Sequence, residues 1–439
     1  MKLKFIDLFA GTGGIRLAFE SACQKLGIET ECVISSEIDK KACETYELNF
    51  NEKPLGDIRE IQQIKPFDVL LGGFPCQPFS YAGKQKGFGD TRGTLFFQIE
   101  RLLKEHSPNF FLLENVRGLT THDGGRTFAT IIKSLEDLGY SVKHLLLNSS
   151  NFGVPQNRVR VYILGVKGKN IVTTLTSDKG ASDSHKFKNI FSQNALFSDK
   201  VFKVVADILE DEVSERYICT DNFVKQLKNV VGEDLHKLAG VRLIDYRNGK
   251  SIHSWELGLK GKCTKDEITL LNSIIKNRRK KIYGLHQDGK RLSIEQIKTF
   301  YKGDNLRDVI KSLEQKGYLK EVDGKYNPVA GNMSFEVFKF LDPSSISITL
   351  VSSDAHKLGV VQNGVARRIT PREAARIQGY PDSYKVHPED TSAYKQFGNA
   401  VAVPVVEAVL TDLLKNNFSF EPKLGYLPKK KSPTMAEKV

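Results

Sequence analysis

Paired cysteines, long apolar runs and an excess of acid are all missing from this sequence. Its six cysteines, Cys23, Cys32, Cys43, Cys76, Cys219 and Cys263, contain no C-x-x-C pair and are thinly spread over 439 residues. That spacing argues against a disulfide scaffold and against structural zinc. No run of about 20 apolar residues is present, and Met1-Lys2-Leu3-Lys4 opens directly into a strand pattern rather than a charged-then-apolar leader. The expectation is a soluble, intracellular chain with no membrane partner. Acidic residues number 52 against 65 Lys and Arg, a net charge of +13. The resulting pI near 9.2 points to a polyanionic partner, nucleic acid first and an acidic membrane surface second. A G-x-G-x-x-G fingerprint is also lacking, because Arg16 stands where its last glycine belongs. This disfavours a ligand held by its pyrophosphate, and with it a nucleotide-dependent oxidoreductase.

What is present begins with length: 439 residues suggest two or three domains, and a hydrophobic fraction of 40% suffices for their cores. The pattern over 2–8 predicts a strand, followed by Phe9-Ala10-Gly11-Thr12-Gly13-Gly14 and an amphipathic helix over 15–26. Strand, glycine turn and helix let backbone approach a nucleoside closely and aim a helix N-terminus at it. A second strand over 31–35 runs into Glu37, placed to hold ribose hydroxyls. Asp57 follows a further short apolar piece. The run Phe67-Asp68-Val69-Leu70-Leu71 reads as a buried parallel strand, and Gly72-Gly73-Phe74-Pro75-Cys76-Gln77-Pro78-Phe79-Ser80 stops it in a stiff turn. Cys76 is thereby a candidate nucleophile at the strand edge where open α/β sheets bind ligands; a buried structural thiol is the plainer alternative. The segment 81–93, rich in glycine and cations, has the composition of a lid over a phosphate backbone. Glu114 ends the strand over 110–113, where desolvation raises a carboxyl enough to act as an acid at neutral pH. Arg158 and Arg160 alternate with Val159 and Val161, which puts both guanidiniums on one face of a strand. Asp7, Glu37, Asp57, Cys76 and Glu114 thus gather at one end of the predicted strands.

These residues resemble the cytosine-5 DNA methyltransferase family, of the bacterial restriction-modification type. The strings DLFAGTGG (7–14), GGFPCQPFS (72–80), ENV (114–116), QNRVRVYILG (156–165), RRITPREAARIQGYPDSY (367–384) and QFGNAVAVPV (396–405) stand in that family's order and spacing. The resemblance implies an α/β, Rossmann-like sheet with helices on both faces, plus a second, mixed α+β target-recognition domain. It implies S-adenosylmethionine as methyl donor, leaving S-adenosylhomocysteine. The donor is expected against Phe9, Ala10, Gly11, Gly13, Gly14, Glu37, Ile38, Asp57, Ile58, Pro75, Leu95, Asn399 and Ala400. Serine is commoner than Ala400 in the family, so a hydroxyl contact to the donor is absent here. Cys76, Glu114, Arg158 and Arg160 carry the implied chemistry: attack on carbon 6 of a flipped-out cytosine, stabilisation at ring N3, and anchoring of the base. Gln77, Ser80, Lys84 and Arg92 are expected to touch DNA.

The expected organisation is a catalytic and cofactor domain over 1–166, a target-recognition domain over 167–366, a return segment over 367–416 that completes the catalytic domain, and a basic tail over 417–439. Within the middle, Arg278, Arg279 and Lys280 belong to a cationic cluster read as phosphate contacts. Helix, turn, helix and an Asp-Gly hairpin over 264–328 suggest an embedded winged helix, with Arg307 and Lys311 turned toward DNA. A packed structural insertion is the alternative. The reading is a monomeric cytoplasmic, nucleoid-associated enzyme acting on double-stranded DNA, with a possible cognate restriction endonuclease acting separately. Its rivals are an RNA (tRNA) cytosine-5 methyltransferase and a catalytically silent DNA-binding regulator on the same fold.

Overall fold

The computed structural model describes residues 2–75, 94–178, 203–246, 249–284, 290–330 and 335–418. Cys76, Gln77, Ser80, Lys84, Arg92, the segment 81–93 and the tail from 419 lie outside the described residues. The chain starts as β1 (Lys2–Leu8), α1 (Gly14–Lys25), β2 (Glu29–Ser36), α2 (Lys40–Phe50), β3 (Val69–Gly72), α3 (Thr94–His106), β4 (Phe110–Val116), α4 (Arg126–Asp137), β5 (Tyr140–Asn148) and β6 (Val159–Lys167). These strands form one sheet in the order β2-β1-β3-β4-β6-β5. β1 to β4 are parallel, while β6 runs antiparallel to both neighbours.

Alternation along each strand separates two cores. Phe5, Val69, Leu71, Phe110 and Leu112 face one side, with α1; Ile6, Leu8, Leu70, Phe111 and Leu113 face the other, with α3 and α4. Both faces are covered, so β3 and the first four residues of β4 are apolar without alternation. Each such buried side chain stabilises the fold by about 1.5–3 kcal/mol. The piece before Asp57 does not form the expected strand. It makes one parallel bridge, Ser36 to Leu55, which still carries Asp57 to the sheet's carboxyl edge.

The middle comprises α5 (Asp221–Val231), β7 (Arg242–Leu243), β8 (Ser251–Ile252), α6 (Ser254–Leu257), α7 (Lys265–Asn277), α8 (Ile294–Lys298), α9 (Leu306–Gln315), β9 (Leu319–Val322), β10 (Lys325–Pro328), β11 (Lys339–Phe340), β12 (Leu358–Gln362) and β13 (Val365–Arg368). A second sheet has the order β13-β12-β11-β7-β8, and β9 with β10 forms a separate hairpin. The chain closes with α10 (Pro371–Ile377), α11 (Asp390–Asn399) and α12 (Val403–Asn417). α12 lies along α1, and its Val405, Val409 and Leu413 join the core of the first sheet. Residues 390–417 are apolar enough for a membrane span by composition, yet they form two helices, and 72% of their most apolar window is buried.

The crossing back from the second sheet is pinned by a buried ion pair. Arg367 of β13 meets Glu373 of α10 through two bonds of 2.6 and 2.9 Å, with side chains 2% and 0% exposed. Glu373 also completes a capping box with Thr370, behind Pro371 in the first turn of α10. That combination is the usual chemistry of a helix start.

Candidate active site

The glycine turn after β1 is built from both ends of the chain. Phe9, Gly11 and Gly13 adopt left-handed backbone with φ of 54°, 54° and 77°, which folds the turn tightly over the end of β1. The carboxylate of Glu37 braces it, accepting from Gly11 N at 2.8 Å and from Ile38 N and Asp39 N at 2.8 Å each. From the return segment, the Tyr384 hydroxyl donates to the Thr12 carbonyl, and the Tyr380 hydroxyl lies 3.0 Å from Thr12 Oγ1. A Cβ on Gly14 would sit 2.3 Å from that Tyr380 hydroxyl, so only glycine admits the aromatic clamp. At Gly11, by contrast, a Cβ would meet nothing within 4 Å, and the turn is open there.

Around this opening, Ile38 is 72% exposed, an unusual position for isoleucine, whereas Ile58 is 2% exposed and packed in the core. Leu95 is half-buried at the start of α3, and Ala10 is buried. Asp57 is bound by the guanidinium of its neighbour Arg59, which holds its carboxyl below the ordinary range. An amine donor meeting Asp57 must displace that contact. Asn399 is exposed at the end of α11, and the Ala400 carbonyl is taken by Arg158.

β3 and β4 bring the chemistry together. Glu114 Oε2 lies 4.0 Å from where a Cβ on Gly73 would stand, beside the strand end that leads to Cys76. Asn115 Nδ2 donates 2.8 Å to the Phe74 carbonyl, tying that strand end to β4 just before exposed Pro75. Burial raises the Glu114 carboxyl above its ordinary value, and Arg160 and then Arg158 pull it back. Arg160 Nε stands 3.2 Å from Glu114 Oε1 as an ion pair.

The two arginines divide their work, a correction to the expectation that both reach the base. Arg158 is 3% exposed and spends its terminal N–H groups on the carbonyls of Leu350 at 2.8 Å and Ala400 at 2.6 Å, with Gly398 farther off. Its position just ahead of β6 lets it strap the return segment to the sheet. Gln156, fully buried, does the same, donating to the Ile377 carbonyl and Gln378 and accepting from Leu350 N. In the middle of the chain, Arg278 is corrected likewise. It is 4% exposed and donates to Asn327 at 3.1 Å, because the last turn of α7 directs it onto β10 and away from solvent. Arg279, Lys280, Arg307 and Lys311 are exposed.

Three buried polar atoms at this edge have no hydrogen-bond partner among the described residues: Asp7 Oδ1, Glu114 Oε1 and Arg158 Nε. Buried groups left open in this way call for a ligand or water. A family model described as C-5 cytosine-specific DNA methylase matches residues 3–415. The chain belongs to the C-5 cytosine-specific DNA methylases. Type II methyltransferase M.BanI of Aneurinibacillus aneurinilyticus is 67% identical over 417 residues, covering 95% of this chain and 97% of that one. Type II methyltransferase M.HgiCI of Herpetosiphon aurantiacus is 64% identical over 414 residues, covering 94% and 98%. The crystal structure of S. pombe Dnmt2 methyltransferase matches the fold with a TM-score of 0.50 at 19% identity, covering 95% of this chain and 100% of that one. This methylase therefore transfers methyl groups to carbon 5 of cytosine in DNA, on an α/β methyltransferase fold.

Asp7 of this methylase was legible as a strand-end acid but not as part of the site. It is fully buried, and its second oxygen receives only a 3.4 Å bond from Tyr46. Burial pushes its carboxyl up to about 7, against the pull of Arg16 and of the Tyr46 hydroxyl. The folded protein thus holds this proton more tightly than the unfolded chain does. Its contribution to stability is complete below about pH 4 and is lost as pH rises to about 7. Asp7→Asn is expected to flatten the fall in Tm across that window, measured by thermal melts in a pH series. Equal slopes in the two proteins would assign the ionisation to another group.

Proposed function

We propose that the methyl donor is S-adenosylmethionine, that the substrate is duplex DNA, and that Cys76 bonds covalently to a flipped-out cytosine during transfer. The observation that carries this reading is the buried carboxyl of Glu114, paired in charge with Arg160 but accepting no hydrogen bond at Oε1 among the described residues, beside the strand end leading to Cys76. The donor suits the first strand ends. Gly11 leaves the turn open, Ile38 offers apolar surface for an adenine ring, Glu37 faces the turn, and Asp7 Oδ1 lacks a partner. When bound, the donor supplies an electrophilic methyl group on a sulfonium.

Carbon 5 of cytosine is a weak nucleophile. Addition of the Cys76 thiolate to carbon 6 moves electron density onto carbon 5, while Glu114 supplies a proton or hydrogen bond at ring N3. Arg160 orients Glu114 by their ion pair. After methylation, loss of the carbon 5 proton restores the ring double bond and expels the Cys76 thiolate. Flipping the base out of the duplex costs a few kcal/mol. M.BanI and M.HgiCI are named type II methyltransferases, which supports a role as the modification enzyme of a restriction-modification system, with its endonuclease acting separately.

A duplex with 5-fluorocytosine at the modified position tests the adduct, since fluorine blocks the final proton loss. With the donor present, an SDS-stable protein–DNA conjugate is expected, mapping to the peptide that holds Cys76. Methylated product from ordinary DNA without any conjugate on the fluorinated duplex would sink the covalent mechanism.

A further inference from the structure

Residues 264–328 hold 15 Lys and Arg against 9 Asp and Glu, a net +6 of the chain's +13. They also have a core of their own, in which Leu271, Ile274, Leu292, Leu313 and Tyr326 are buried together, apart from the cores of both sheets. The order of elements is α7, a one-bridge strand at Leu292, α8, α9 and the hairpin β9–β10. Leu292 pairs antiparallel with Tyr326 of β10, so the small sheet runs Leu292, β10, β9. Asp323 and Gly324 turn the hairpin with φ of 54° and 69°, the two-residue turn that matches strand twist. Three helices backed by a three-strand sheet in this order make a winged helix, with 323–324 at the wing tip.

The rotation of α9 is fixed. Leu306, Val309, Ile310 and Leu313 point into the core. Ser312 Oγ and Lys316 Nζ bond Glu267 of α7 at 2.6 and 2.7 Å. That leaves Arg307, Lys311 and Gln315 on one outward ridge at four-residue spacing, all exposed and without a hydrogen-bond or ion-pair partner among the described residues. Lys320 and Lys325 are exposed on the wing.

We propose that α9 is a DNA-reading helix: it enters the major groove, where Arg307, Lys311 and Gln315 meet base edges, while Lys320 and Lys325 of the wing grip the flanking phosphates. The inference rests on the DNA methylase reading and names the element that selects the sequence. The side chains suit the task, because Arg and Lys pair with guanine O6 and N7 and Gln with adenine N6 and N7. A helix of this width fits the roughly 12 Å groove. A packed structural insertion has no need of an unpaired cationic ridge facing solvent.

The test uses the full-length protein and a duplex bearing a site mapped by bisulfite sequencing of DNA that the wild type has modified. The triple variant Arg307→Ala/Lys311→Ala/Gln315→Ala is expected to raise KM for this duplex by about 10-fold or more. Its kcat at saturating duplex and its donor affinity should stay unchanged, and its modified sites should show relaxed base preference. Lys311→Ala alone, at a solvated position, carries the same expected direction should the triple variant melt early. Lys104→Ala/Lys133→Ala, which removes two exposed charges from α3 and α4, is the charge-matched control. An unchanged KM in the α9 variants, or an equal rise in the control, overturns the inference while leaving the methylase reading intact. A wild type that forms no 5-methylcytosine on any DNA overturns both.

Discussion

Glu114→Gln is expected to lower kcat by about 10²–10³-fold, the scale at which removing one preorganised stabilising group acts, with donor affinity nearly unchanged. Glutamine keeps the shape and one donor but cannot yield a proton to ring N3. It also removes the negative charge that Arg160 faces at 3.2 Å, leaving Arg160 to turn elsewhere. The pH profile supplies the sharper reading. Burial raises the Glu114 carboxyl, so its proton persists to higher pH than on an exposed glutamate and is lost as pH rises through that raised value. Wild-type kcat should fall along this alkaline limb, while the limb on the acid side follows formation of the Cys76 thiolate. In Glu114→Gln the alkaline limb should vanish. A variant that keeps the full alkaline limb would assign that ionisation to another residue, and one with undiminished kcat would remove Glu114 from the chemistry.

Arg367→Met is expected to cost about 3–5 kcal/mol of stability, because it strands a buried carboxylate without its counter-charge. Glu373 is 0% exposed and also accepts from Thr370 N at 2.8 Å and Glu210 N at 2.9 Å. These amides hold its oxygens but do not neutralise them. Arg367 binds Gln362 as well, at 2.6 and 2.9 Å, so the loss reaches β12, β13 and the start of α10 together. Urea unfolding read by circular dichroism measures the effect. The double variant Arg367→Met/Glu373→Met should recover much of the loss, since the net worth of a buried pair against apolar replacements is small. A single-variant loss under about 1 kcal/mol, the worth of an exposed pair, would mean that water reaches this pair.

Both predictions turn on residues whose type was plain in the sequence and whose partners were not. Glu114 was legible as an acid at a strand end because an apolar run stops at it. Arg367 stood in a recognisable string, yet nothing in the string says that its partner lies six residues on and fully buried. The winged helix was readable in part: the Asp-Gly turn and the apolar spacing of α9 are local signals. Its third strand rests on the single bridge from Leu292 to Tyr326, a contact across 34 positions that no local pattern announces. Arg278 looked the same as Arg279 in a cationic run, and one step of helix rotation buries the first and exposes the second.

The sequence by itself determined the parts that depend on neighbours along the chain: apolar strands too continuous for a one-sided sheet, the glycine turn with positive φ at Gly11 and Gly13, the acids where strands stop, and the motif order that places the chain in its family. Tertiary structure alone decided which polar groups are already spent. Arg158 straps Leu350 and Ala400, Glu114 faces Arg160 across an ion pair, and Asp7 keeps one oxygen without a hydrogen-bond partner among the described residues. The reason is physical: backbone and turn preferences act over a few residues, whereas hydrogen-bond satisfaction and desolvation are set by whatever the fold packs against a group. Those partners arrive from 46 to 242 positions away as readily as from the next turn.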